Sequence, residues 1–163
     1  MNKSFNKGQA ALEFLTTYGW AFLVILIMIG ALAYFGVLNP SKLLPNRCQF
    51  SSEFQCLDYQ ISATSNTFNL KLKSNSGDPI QISAITLSSD TATQFSCTTT
   101  PTLNVAIPSG NITNMLFSVC NPSTVGWNAG DKGKVYVTLT YFSVASGASY
   151  SKASKGEILT TLV

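Results

Sequence analysis

From Phe14 to Ser41 the chain contains no Asp, Glu, Lys or Arg. Taken with the residues before it, Gln9 to Leu38 reads QAALEFLTTYGWAFLVILIMIGALAYFGVL, and nothing downstream is as hydrophobic over such a length. A helix over Ala10 to Leu38 would be about 44 Å long at ~1.5 Å per residue, enough to cross the hydrocarbon core of a bilayer. Its faces do not divide into apolar and polar sides, so it needs cover all round, from lipid or from other helices. Gly19, Gly30 and Gly36 each cost roughly 1 kcal/mol against alanine in a soluble helix, a cost that apolar burial outweighs. Small residues also let neighbouring helices approach closely, although no G-x-x-x-G occurs. Asn39-Pro40 is the expected stop, because the residue before proline is pushed away from α geometry, and Pro45 opposes a second helix.

Residues 1–8, MNKSFNKG, carry Lys3 and Lys7 and no acid. A secretory signal would be followed by a small-residue cleavage site, and Gly36-Val37-Leu38-Asn39-Pro40 offers none. The apolar segment is therefore expected to be retained, with any processing before it. Basic residues flank both ends, Lys3 and Lys7 against Lys42 and Arg47, so charge alone barely sets the orientation. The cysteines, the Ser/Thr/Asn-rich body and the sequon Asn111-Ile112-Thr113, a candidate N-glycosylation site at Asn111, favour an exported C-terminal part.

Cutting at Asn39-Pro40 leaves roughly 120 residues, enough for one domain with a proper core. Net charge is +3, from ten basic and seven acidic residues. Without Lys3 and Lys7 the chain would be near neutral. Phosphate neutralisation needs clustered Lys and Arg, so no nucleic acid partner is expected. The nearest approaches to a cluster, Lys71 with Lys73 and Lys132 with Lys134, read as exposed strand or turn positions. There is no histidine, which removes the commonest general base and metal ligand. The acids are scattered, and neither a glycine-rich phosphate loop nor G-x-S-x-G occurs. Neither enzymatic activity, nor a cofactor, nor a metal is expected.

All four cysteines, Cys48, Cys56, Cys97 and Cys120, follow the apolar run, which suits an oxidising compartment. Three disulfide connectivities exist. Cys48–Cys56, closing a short loop beside the helix exit, and Cys97–Cys120, tying two strands, are favoured, with buried free thiols as the alternative. Zinc finds no C-x-x-C pair and no histidine to support it.

Past Cys48 the hydrophobic period becomes two. Leu57, Tyr59, Ile61 and Ala63 alternate with polar residues, as do Phe68, Leu70 and Leu72. A turn at Asn75 to Pro79 precedes Ile80, Ile82, Ile85 and Leu87, and the slip between Ile82 and Ile85 predicts a bulge or bend. Val105 and Ile107 end at the turn Pro108-Ser109-Gly110; Met115, Phe117 and Val119 alternate up to Cys120. Asn121 to Gly133 reads as a loop with Trp127 as a core plug or loop anchor. Lys134 to Val144 is the strongest strand, and Ser146-Gly147 leads to a last one containing Glu157-Ile158-Leu159. Six to eight short strands with regular turns predict an antiparallel sandwich, broadly immunoglobulin-like. The fold class expected is α+β: a long N-terminal hydrophobic α-helix (9–39), a linker (40–47) and a β-sandwich head domain (48–163).

The stretch Lys7-Gly8-Gln9-Ala10-Ala11-Leu12-Glu13-Phe14-Leu15 resembles the processing region of type IV pilin-like proteins, in particular archaeal type IV pilins with class III signal peptides. That resemblance, which covers about forty residues, implies a leader of residues 1–8, cut between Gly8 and Gln9 by a membrane-embedded prepilin peptidase. It also implies a glutamate at the fifth mature position, which is Glu13. Gln9 stands where bacterial pilins usually have phenylalanine, and no proline occurs before Pro40; both departures fit the archaeal branch and imply one continuous helix. Archaellins share this architecture and export route. Leu12 to Trp20 looks more like the adhesive pilins.

An ionised carboxylate beside lipid or a dry helix bundle is expensive unless paired. Cleavage after Gly8 would create an α-amino group four residues from Glu13, a partner that the uncut precursor lacks; cyclisation of Gln9 would remove its charge. The expected assembly is a homopolymer through the N-terminal helices, whose precursor sits in the membrane. The resemblance implies membrane assembly machinery with a motor ATPase, and as product an extracellular filament at the cell surface. A single-pass surface protein whose β domain binds a ligand without polymerising is the main alternative, and a minor pilin-like component of a secretion or uptake apparatus is another. In that last case Trp127 and Tyr141 would serve as a sugar platform, although core packing suits both better.

Overall fold

The computed structural model describes residues 5–35 and 44–163, with side chains described from Ala11 onward. The chain divides into two compact units, Met1–Leu44 and Pro45–Val163. In the first, α1 runs Phe5–Tyr34, about 45 Å at ~1.5 Å per residue, and Phe35 N–H still donates to Ala31 O at 3.0 Å. It begins upstream of the expected start at Ala10, so its backbone is helical through Gly8 and Gln9. The expected stop at Asn39-Pro40, Gly36 and the linker up to Leu43 lie outside the described residues, as does the start of the leader.

The second unit is an antiparallel β-sandwich. Its strands are β1 (Arg47–Phe50), β2 (Phe54–Ser62), β3 (Thr67–Ser74), β4 (Ile80–Ser89), β5 (Cys97–Thr99), β6 (Ala106–Ile107), β7 (Ile112–Cys120), β8 (Lys132–Ser143) and β9 (Lys152–Thr161). One sheet has the order β1-β9-β8-β4-β6, the other β2-β3-β7-β5. All pairings are antiparallel. Alternation explains why these residues pack: β3 buries Phe68, Leu70, Leu72 and Ser74 and exposes or half-exposes the residues between. From the facing sheet, Val135, Val137, Leu139, Ile158, Ile80 and Ile82 enter the same core. Phe68 stacks on its cross-strand partner Phe117 with ring centroids 5.1 Å apart.

The pattern fails at two bulges and at one strand residue with a left-handed backbone. The slip in β4 is a register shift between Ile82 and Ala84, after which Ile85 and Leu87 resume the inward series. A second shift, between Cys56 and Asp58 in β2, was not expected from the sequence. It turns Leu57 outward, 43% exposed, while Tyr59 and Ile61 keep their inward places. At the end of β7, Val119 does not continue the series of Met115 and Phe117. Its φ is +55°, in the left-handed region that β-branched residues avoid, and its side chain is 64% exposed.

Two loops supply core residues that alternation cannot reveal. Phe95 is fully buried between the rings of Phe68 and Trp127. Its loop is fastened by Phe95 N–H to Ser89 Oγ at 2.9 Å and Ser89 N–H to Gln94 Oε1 at 2.9 Å. The segment after β7 contains a one-turn helix, Pro122–Val125, and then Trp127, which packs over Gly133. On the neighbouring strand, Gly156 lies opposite Phe50 in β1, and a Cβ there would come within 2.3 Å of the Phe50 ring. Gly156→Ala is expected to lose about 1–3 kcal/mol in urea unfolding by forcing that ring out of place. In a Phe50→Ala background the same substitution is expected to cost much less, because the two residues share one space.

Candidate functional site

The helical stretch Ala11–Tyr34, 24 residues, is long and apolar enough to cross a membrane, and none of it is buried. Leu12, Phe14, Leu15, Phe22, Ile25, Ile27 and Met28 are all more than half exposed; Trp20 reaches 72% and Tyr34 87%. Burying one such side chain stabilises by about 1.5–3 kcal/mol relative to water, so an all-round surface of them demands another medium or another helix. Gly19 and Gly30 have nothing within 4 Å of an added Cβ. Packing within the chain does not require glycine at either position.

Polar groups within this stretch are few and are managed locally. Thr16 Oγ1 donates to Leu12 O at 3.0 Å and to Glu13 O at 3.1 Å, and Thr17 Oγ1 donates to Glu13 O at 2.9 Å. Such back-bonding to the preceding turn satisfies a hydroxyl without a partner from outside. The Glu13 carboxylate has no hydrogen bond or ion pair among the described residues. Glu13, Thr16, Thr17 and Trp20 follow the spacing i, i+3, i+4, i+7, so they share one face. The early turns thus carry a polar seam that an overall impression of uniform greasiness hides. Phe14 and Tyr18, one turn apart, bring their rings to 4.3 Å.

The other sequence-predicted positions fall in different places. Gly8 and Gln9 have helical backbone, and their side chains lie outside the described residues. The cysteines form Cys48–Cys56 and Cys97–Cys120. The first joins β1 of one sheet to β2 of the other, and the second joins directly opposed residues of β5 and β7. Asn111 is exposed at the turn after Gly110, with its N–H on Pro108 O at 3.2 Å and its carbonyl accepting from Ser74 N–H at 3.0 Å. Trp127 and Tyr141 are core residues, 7% and 6% exposed, which leaves neither ring face free as a platform. Among the described residues no group of three or more His, Cys, Asp or Glu side chains is placed to hold a metal.

Lys71 points outward from β3. Lys134 on β8 lies 4.9 Å from the Tyr136 ring centroid and 3.4 Å from Glu157 Oε1, which also pairs with Arg47. Partial burial pushes the Glu157 pKa up, but the Arg47 hydrogen bond and the Lys134 charge outweigh it, leaving the carboxyl below its ordinary value. This stabilisation is present above the unfolded-state pKa and is lost as pH falls through the lower folded-state one. The Arg47 and Glu157 side chains are 46% and 29% exposed, so solvent screening keeps the contribution within about 1 kcal/mol. Glu157→Gln is expected to flatten the decline in urea stability below about pH 4.3, measured against the parent chain.

No protein-family model matches the chain, and no curated protein matches it in sequence. The architecture, one N-terminal apolar helix followed by a β-rich domain, is compatible with a pilin-like fold.

Proposed function

We propose that this chain is a structural subunit of an extracellular helical filament, an archaeal type IV adhesion pilus assembled by bundling of N-terminal helices after the leader is removed. The observation that carries the reading is the exposed apolar surface of Ala11–Tyr34 beside a sandwich that fills its own core. Lipid covers that surface in the precursor; helices of other copies cover it in the filament, and identical contacts that do not close on themselves give a fibre. The resemblance around Gly8-Gln9 and Glu13 supplies the route: a prepilin peptidase, then membrane assembly machinery with a motor ATPase. Glu13 then finds the α-amino group of Gln9, freed one helical turn away on its own chain or on a neighbour. The sandwich contributes the outer surface, with no enzymatic role.

The same surface favours a second reading, a single-pass surface protein that keeps its helix in lipid, since one helix of this length satisfies a bilayer alone. An archaellin is the third. N-terminal mass spectrometry of surface material separates the first two: the filament reading expects chains starting at Gln9, and intact Met1 on surface-exposed protein overturns it. Gly8→Leu is expected to hold the precursor in the membrane. Glu13→Ala is expected to lower filament yield severalfold, counted by electron microscopy, with membrane insertion unchanged; undiminished yield removes the role given to Glu13.

A further inference from the structure

One end of the sandwich opens into a cavity of about 610 Å³ lined by Glu53, Asp78, Tyr141, Ser143, Tyr150 and Lys152. Its size falls in the range of small-molecule sites. Tyr141 is 6% exposed, and its ring is fixed edge-on against Phe54 at 5.3 Å between centroids. Its hydroxyl has no hydrogen-bond partner among the described residues. Ser143 Oγ, inaccessible on the same strand, also has none. Buried hydroxyls are nearly always paired, and leaving one unpaired is costly. The Tyr141 hydroxyl, by contrast, is not sealed off: it reaches the cavity with its hydrogen-bonding capacity unspent within the chain, free for an occupant that both donates and accepts.

The remaining lining narrows the chemistry. A backbone hydrogen bond and the Ser51 hydroxyl hold the Glu53 carboxyl below its ordinary value, so it is an acceptor at neutral pH. Burial, and then the Glu53 charge, push Tyr141 up, so its hydroxyl keeps its proton as a donor. Two carboxylates against one ammonium disfavour an anion. Lys152, close enough for its charge to act on Glu53, disfavours a divalent cation. Tyr150, in the 3-10 turn Ala148–Tyr150, is 70% exposed, and its ring offers an apolar face beside these polar groups.

We propose that this cavity is a binding site for a neutral carbohydrate, a pyranose whose C–H face lies on Tyr150 and whose hydroxyls are shared among Glu53, Asp78 and Tyr141. The site goes beyond the filament reading and does not rest on it, since a lone membrane-anchored chain would carry it equally. The test is a titration of the unassembled full chain in dodecylphosphocholine, a detergent without a sugar headgroup, followed by saturation-transfer NMR. The probes are the methyl glycosides of mannose, galactose and glucose, with glucuronate as the anionic comparator. At least one methyl glycoside is expected to bind saturably in the millimolar range, and glucuronate more weakly. Tyr150→Ala and Tyr141→Phe are each expected to weaken binding about tenfold, which is one hydrogen bond or one stacked ring. Because the Tyr141 hydroxyl is unpaired in the free protein, Tyr141→Phe is also expected to leave Tm unchanged or raised. That result separates lost recognition from lost folding. No saturable binding by any methyl glycoside, or affinities unmoved by both substitutions, overturns the proposal.

Discussion

The chain holds two kinds of apolar surface, and only one of them is satisfied within it. In the sandwich, Phe68, Phe95, Phe117, Val135, Val137 and Leu139 are fully enclosed. On α1, residues of the same chemistry from Leu12 to Tyr34 stand exposed on every side. The free energy of removing such groups from water is the largest favourable term in folding. On α1 it is therefore still to be gained. The bundling proposed for the helix follows from that imbalance, whereas the core of the sandwich is filled from its own two sheets and their loops.

Completion of that core depends on an unusual division between strands and their neighbours. Two inward positions of the β8–β9 hairpin, Gly133 and Gly156, have no side chain to give. Each is covered by an aromatic ring from elsewhere, Trp127 from the loop after β7 and Phe50 from β1. The rings thus do the packing that larger strand residues would otherwise do, and they fix where β1 and the loop lie against the five-stranded sheet. The Cys48–Cys56 bond, next to Phe50 in sequence, carries the same strand across to the second sheet.

Much of this was legible from residue order, because a charge-free run and a period of two are direct consequences of where side chains must go. The helix, the antiparallel sheets and the slip in β4 all follow from such patterns. What escaped was set by backbone irregularity or by distant partners. Leu57 fits a strand period as well as Tyr59 does, and only the bulge between Cys56 and Asp58 turns it out. Val119 has the right chemistry and the right spacing for the core, yet its positive φ ends the series. Phe95 lies in a polar stretch without period, so its burial is decided by Phe68 and Trp127, which are far away in sequence. The cavity beside Tyr141 was invisible for a similar reason: Glu53, Asp78 and Tyr150 come from three separate turns.

The placement of Cys48 also bears on how the head responds to mechanical load. Tension passing along the chain into Pro45 enters β1 at its first residues, where an unlinked strand would peel from β9 one hydrogen bond at a time. Cys48 meets that pull almost at once and hands it through a covalent bond to β2 in the opposite sheet. Both sheets then share the strain. A thiol-reducing environment would remove the shackle and leave the first strand to unzip.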